Sequence, residues 1–283
     1  GCVIVHKDRI LGEGYHHQFG GPHAEVNAIQ AVPPEQHDLL PHSTLYVNLE
    51  PCAHQGKTPP CADLILSMGI PEVIIGTEDP NPAVAGKGIQ RLRDAGCQVV
   101  TDVLGDECRH LNRRFFSFHL KQRPYVMLKW ASSADGYLAP PDHGPEQREN
   151  WWLTGPPARV LAHKWRSEED AILVGTNTVI ADDPALTTRE WSGRNPLRIV
   201  IDRHLQLPGT HRCFSPEART LVLNEHRDEE REHLMLRKIR MDHHLIPDLF
   251  ALLTKLGLQS LIVEGGASLL KQFIDADLWD EAR

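Results

Sequence analysis

A histidine at position 23 and cysteines at positions 52 and 61 restrict what this chain can fold into, because donors so far apart make one metal site only if the backbone brings them to a point. His23-Ala24-Glu25 supplies an imidazole with a carboxylate two residues on, and Pro51-Cys52 and Pro60-Cys61 supply two thiols. One imidazole and two thiolates leave the fourth tetrahedral position of zinc to water, whereas structural zinc sites close all four with protein groups. Zinc in an open site lowers the pKa of its water from 15.7 to about 7, and a nearby carboxylate carries the protons when an amine is displaced from a nucleobase. We therefore expect His23, Cys52 and Cys61 as ligands of one catalytic zinc, with Glu25 as proton carrier. Either half of the pattern alone is a weak signal; both together, with Pro51 before the first cysteine, carry the reading. The alternative is a closed structural site, for which His54 is the best fourth ligand.

At 283 residues the chain is long for one core and suits two domains, and a boundary is expected at Lys121-Gln122-Arg123-Pro124. A net charge of −8 argues against a partner bound through its phosphate backbone and favours a small-molecule substrate. Six dispersed cysteines do not make a disulfide framework and suit a reducing cytoplasm. No apolar run reaches the roughly 18 residues of a membrane span. Both ends read as cut: Gly1-Cys2-Val3-Ile4-Val5-His6 opens inside a strand pattern, and Leu278-Trp279-Asp280-Glu281 is followed by no closing element. A fragment is expected.

In the first half, residues 1–6 and 10–15 read as a hairpin, and Pro22 stands where a helix begins. Residues 44–49 read as a buried strand, with a second helix starting at Glu50-Pro51-Cys52. Ligands at helix N-termini gain from the positive end of the dipole, which favours thiolate over thiol. Residues 72–76, 86–95 and 98–101 continue as strand, helix, strand, so this half is α/β.

In the second half, residues 125–131 read as a buried strand with Lys129 inside it. A lysine there needs a counter-charge or a cleft, unless it snorkels to the surface. A helix over 158–166, a strand over 171–174 and a polar loop over 175–189 follow. Further strands are expected at 197–201, 220–223 and 260–263, with helices at 247–255 and 267–274. The strand, Gly265-Gly266 and the helix after them could seat a pyrophosphate on free amides, although two glycines also suffice for a tight turn, and this is not a Rossmann fingerprint.

The general deaminase signature spaces its cysteines P-C-x-x-C, whereas here eight residues separate Cys52 from Cys61. The stretch Leu49-Glu50-Pro51-Cys52-Ala53-His54-Gln55-Gly56-Lys57-Thr58-Pro59-Pro60-Cys61 resembles the deaminase half of the bifunctional deaminase-reductase family of riboflavin biosynthesis. So do Gly20-Gly21-Pro22-His23-Ala24-Glu25 and Asp79-Pro80-Asn81-Pro82-Ala83-Val84-Ala85-Gly86-Lys87-Gly88, and from Pro124 onward the chain resembles the reductase half.

The resemblance implies an α/β architecture in two parts. Residues 1–121 would be a cytidine-deaminase-like three-layer domain lacking its N-terminal helix, and residues 124–283 a dihydrofolate-reductase-like domain lacking its C-terminal end. It implies a deaminase pocket lined by His16, His54, Lys57, Asp79 and Asn81; on its own chemistry Lys57 suits a substrate phosphate or a solvated loop equally. It implies NADPH contacts at Ala131, Trp152, Thr178, Asp182 and the stretch Gly266, Ala267, Ser268, Leu269, Leu270, Lys271 and Gln272. Substrate contacts fall on Asn150, Arg166, Leu186, Arg189 and Glu264, with Lys129 beside the reacting sugar as a catalytic group. Arg203 stands where the family often has serine. We expect its guanidinium, with His204, to pair with the cofactor's 2′-phosphate.

The implied activity is zinc-dependent deamination of a phosphorylated pyrimidine followed by NADPH-dependent reduction of its ribosyl chain, in a cytoplasmic homo-oligomer with no nucleic-acid or membrane partner. The rivals are an RNA- or nucleotide-editing deaminase, against which the acidic balance counts, and a non-catalytic zinc-stabilised binding protein, which requires four protein ligands.

Overall fold

The first two apolar runs fold back on each other as β1 (Cys2–His6) and β2 (Arg9–Gly14), turning at Lys7 with φ 54°. Helix α1 (Ala24–Gln30) lies directly on this hairpin. A side chain at Gly12 would meet Ala28 O at 2.3 Å, and one at Gly14 would meet Ala28 N at 2.4 Å, so only glycines admit the helix that carries Glu25. After a 3₁₀ stretch (Pro34–His42) come β3 (Thr44–Val47), α2 (Cys61–Ser67), β4 (Glu72–Ile75), α3 (Lys87–Asp94), β5 (Gln98–Val100), α4 (Gly105–Leu111) and α5 (Arg113–Lys121). The sheet order is β2-β1-β3-β4-β5, with β1 antiparallel to both neighbours and the last three strands parallel. Its core joins Ile4, Leu45 and Val73 of the strands to Ala28, Ile65 and Leu92 of the helices.

The structure is a computed structural model that describes residues 1–18, 20–54, 59–82, 84–138 and 153–283. The chain divides into two units, Gly1–Leu120 and Lys121–Arg283. The boundary segment is pinned within the second unit, where Lys121 and Arg123 both bind the carboxylate of Asp280, at 2.6 and 2.5 Å.

The second unit holds β6 (Tyr125–Leu128), α6 (Pro156–Glu168), β7 (Ala171–Gly175), α7 (Thr176–Asp182), β8 (Leu197–Ile201), β9 (Thr220–Asn224), β10 (Glu229–Glu230), β11 (Leu234–Lys238), α8 (Leu245–Lys255), β12 (Ser260–Val263), α9 (Ala267–Asp275) and β13 (Glu281–Ala282). The sheet order is β10-β11-β9-β8-β7-β12-β6-β13, parallel except for β10. Alternate residues of each strand serve two cores. Val126 and Leu128 pack with Leu249 of α8 and Phe273 of α9, whereas Met127 packs with Val179 of α7. Burial on both faces explains why these strands read as continuous apolar runs. Among the described residues no helix is long and apolar enough to cross a membrane.

Three expectations change. The second helix begins at Cys61, not Cys52: Pro60 is its N-cap, and Pro59 and Pro60 cannot continue a helix from Pro51. Strand β6 ends at Leu128, so Lys129 follows the strand instead of interrupting it. The expected polar loop opens as helix α7: its β-branched residues favour extended chain, but Val179 is wholly buried and tertiary packing overrides the propensity.

Candidate active sites in two units

His23 is the N-cap of α1, and Cys61 is the first residue of α2. Cys52 lies in the loop after β3, yet its carbonyl accepts the Ala62 N–H at 3.1 Å and its sulfur accepts the Cys61 N–H at 3.3 Å. The cysteine therefore rests against the N-terminus of a helix that starts nine residues later, where the dipole favours a thiolate. His23 Nδ1 is 3.5 Å from Cys52 Sγ and 3.4 Å from Cys61 Sγ.

Those spacings fit a metal. Nitrogen and sulfur bound tetrahedrally to zinc at their usual lengths lie about 3.6 Å apart. A hydrogen bond from Cys61, with others from His23 and the Cys61 N–H, pushes the Cys52 thiol down to about 4, and the coupled Cys61 thiol is pushed up as it keeps the shared proton. The metal-binding form of one cysteine thus exists at neutral pH. His54 does not join the donor set, and among the described residues His23, Cys52 and Cys61 stand without a fourth protein ligand. The open site is favoured over the closed one.

Glu25, in the first turn of α1, is 5% exposed; burial pushes its carboxyl up, against hydrogen bonds from its own backbone and from Cys61. Raising a carboxyl in this direction suits it to accept and return a proton. The His16 ring meets the His23 ring edge-on at 5.4 Å. His16 Nδ1 donates to Pro22 O at 2.9 Å, since a carbonyl only accepts. Asn27, missed in the sequence, pins this loop by donating to Tyr15 O at 2.7 Å. Burial pushes Asp79 up, against the Asn81 N–H and the imidazoles of His119 and His54, which pull it down. Asp79 Oδ1 accepts the Asn81 N–H at 2.8 Å. Lys57, Trp152 and Asn150 lie outside the described residues.

In the second unit the expected site residues Lys129 and Glu264 stand at the carboxyl ends of β6 and β12, where ligands of open parallel sheets collect. Leu128 pairs with Val263 and Val263 with Leu173, so the residues that follow emerge side by side. Glu264 binds Arg166 of α6 through both oxygens, at 2.8 and 2.6 Å, and stands 3.7 Å from Lys129 Nζ. Burial alone would raise the Glu264 carboxyl, but the Arg166 charge and hydrogen bonds, with Lys129, hold it down at about 2. Arg189 donates its N–H to His163 Nδ1 at 3.1 Å and its guanidinium to Thr187 Oγ1 at 3.3 Å. Burial and the nearby charges of Arg166 and Arg212 push Arg189 down, which makes the spot favourable to an anion.

The expected cofactor residues separate. Gly266, the N-cap of α9, donates its N–H to Thr178 Oγ1 of α7 at 3.2 Å, so the starts of these helices meet. Gly266, Ala267 and Ser268 are exposed, but the Leu269 and Leu270 side chains are in the core and their amides donate to Gly266 O. Lys271 pairs with Asp275, and Gln272 donates to Ser268 O. Leu186 is likewise 1% exposed and offers a ligand only its backbone, at φ 56°. Ala131 is half-buried after β6 and Asp182 is exposed at the end of α7. Arg203 follows β8 and pairs with Glu225 at 2.8 Å, so a phosphate there competes with a protein carboxylate.

Comparison with known proteins agrees with this division. Residues 1–77 match the cytidine and deoxycytidylate deaminase zinc-binding region, and residues 124–283 match the RibD C-terminal domain. The chain is 38% identical over 285 residues to the riboflavin biosynthesis protein RibD of Aquifex aeolicus, covering 99% of this chain and 78% of that protein. It is 36% identical over 299 residues to RibD of Escherichia coli, covering 99% and 79%. A solved deaminase/reductase from Thermotoga maritima is similar with a TM-score of 0.87 at 40% identity, over 97% of this chain and 76% of that one. Acinetobacter baumannii RibD gives a TM-score of 0.85 at 34% identity, over 99% and 78%. This chain belongs to the RibD family, the bifunctional deaminase-reductases of riboflavin biosynthesis, with a zinc-binding cytidine-deaminase-like unit and an NADPH-dependent unit of dihydrofolate-reductase type.

Proposed function

We propose that the first unit hydrolytically deaminates 2,5-diamino-6-ribosylamino-4(3H)-pyrimidinone 5′-phosphate and that the second reduces the ribosyl chain of 5-amino-6-(5-phosphoribosylamino)uracil to ribityl. The observation that carries the reading is the convergence of His23 Nδ1 with the sulfurs of Cys52 and Cys61, while Glu25 is buried two residues from the first donor.

His23, Cys52 and Cys61 would hold zinc, which when bound would supply the Lewis acidity that activates water. Glu25 takes the proton from the attacking water and returns it to the leaving amine, the task its raised carboxyl suits. His16, His54, Asp79 and Asn81 orient the ring, and Lys57 binds the phosphate.

Thr178, Asp182, Gly266, Ala267 and Ser268 would hold NADPH together with Ala131 and Trp152, with Arg203 at its 2′-phosphate, and the bound cofactor would supply hydride for reduction of the sugar. The Lys129 ammonium, held by Glu264, stabilises negative charge at the opening sugar. Arg189 and Arg166 take the substrate phosphate end, with the Leu186 backbone and Asn150 beside it.

All six cysteines are unpaired, as a reducing cytoplasm keeps them, and a cytoplasmic homo-oligomer that binds neither nucleic acid nor membrane is part of the proposal. The test incubates the zinc-loaded chain with the diaminopyrimidine phosphate and follows ammonia and NADPH separately. Equimolar ammonia release, then NADPH oxidation, is expected. Ammonia release from RNA but not from the pyrimidine phosphate overturns it.

A further inference from the structure

Glu50 is 4% exposed and follows β3 by three residues, two before Cys52. A buried carboxylate needs partners, and four backbone N–H groups supply them. Oε2 accepts from Asp79 at 3.1 Å and Gly86 at 2.9 Å, and Oε1 accepts from Gly88 at 2.8 Å and Ile89 at 3.2 Å. A carboxylate offers about four lone-pair sites and no hydrogen, so one side chain gathers both ends of the loop from Asp79 to Gly86 and the first turn of α3.

A second contact ties the same turn to the metal loop. A Cβ on Gly88 would lie 1.8 Å from Pro51 O, so α3 rests directly on the peptide that precedes Cys52. Within the loop, Asp79 Oδ1 holds the Asn81 N–H, and Asn81 O accepts from Val84 at 2.8 Å and Ala85 at 2.9 Å. Glu50 therefore holds Asp79 and Gly86, on either side of these contacts.

We propose that Glu50 is a positioning residue for deamination: its carboxylate holds the loop of Asp79 and Asn81 in fixed register with the backbone that bears Cys52, so that substrate contacts and metal ligands keep one spacing. The proposal rests on the reading that Asp79 and Asn81 contact the pyrimidine.

The test uses the zinc-loaded full chain. Glu50→Gln keeps the shape of the side chain but turns an amide NH₂ toward two N–H donors. Its KM for ammonia release from the diaminopyrimidine phosphate is expected to rise by about tenfold to a hundredfold. Its kcat, zinc content and NADPH oxidation are expected to hold, while amide exchange at Gly86, Gly88 and Ile89 accelerates. Glu50→Asp, too short to reach all four donors, is expected to behave alike and is the second variant should the first not fold. An unchanged KM, or a loss confined to zinc content and kcat, overturns the proposal. Asn81→Ala separates the two readings: if it leaves KM unchanged while Glu50→Gln raises it, the Asn81 contact fails and Glu50 acts through Asp79. If it raises KM and Glu50→Gln does not, Glu50 fails alone.

Discussion

Lys129 Nζ stands 3.7 Å from Glu264 Oε2, each on the first residue past one of two adjacent parallel strands, β6 and β12. Glu264 is also held bidentately by Arg166, so the carboxylate is shared between a guanidinium and an ammonium that is 23% exposed. The lysine is the more exposed of the two cations, at 23% against 12% for Arg166.

Replacing it removes a charge without removing its anchor. In Lys129→Met, NADPH oxidation is expected to fall by about a hundredfold or more, with ammonia release unchanged. Steady-state assays of both half-reactions on one preparation check this.

Glu264 makes the second unit acid-sensitive. Its folded pKa of about 2 lies below the ordinary 4.5, so its contribution to stability is complete above 4.5 and is lost as pH falls toward 2. The size is about 3 kcal/mol. All six tryptophans lie in this unit, so urea unfolding followed by their fluorescence reads it. Glu264→Gln is expected to flatten the dependence and to cost about 3–5 kcal/mol at neutral pH, because Arg166 is left without its counter-charge.

Glu25 is expected to act in deamination alone. Glu25→Gln should retain zinc and NADPH oxidation while ammonia release falls by about a hundredfold to ten-thousandfold. Zinc content by atomic absorption and the two assays together check this. Chelation should abolish ammonia release in the parent and spare reduction.

Arg203 pairs with Glu225 at the carboxyl ends of β8 and β9. Arg203→Ala is expected to narrow the preference for NADPH over NADH by about tenfold or more, through KM, because the 2′-phosphate loses a charged partner. An unchanged ratio of kcat/KM for the two cofactors removes Arg203 from the site.

Strands at Leu197–Ile201 and Ser260–Val263 were legible residue for residue, because a strand buried on both faces is a continuous apolar run. The zinc donors were legible because their chemistry is narrow. Helix α7 was not, since its anchor, Val179, acts through packing with residues distant in the chain. Strand β11 was missed for a similar reason: its alternation is interrupted by Arg237 and Lys238, and its place is set by pairing with β9.

By itself the sequence determined the residue types for a metal and proton site, the two-part α/β architecture and the family. Only the tertiary structure decided which of those residues meet. It put Cys52 against the start of a helix nine residues away, excluded His54 from the donor set and turned Leu186, Leu269 and Leu270 into the core. It also gave Glu50 four backbone donors from a loop more than twenty-five residues on. The division is physical: donor chemistry and hydrophobic period are properties of neighbouring residues, whereas the partner of a buried charge is set by strand register and helix packing between segments that only the fold brings together.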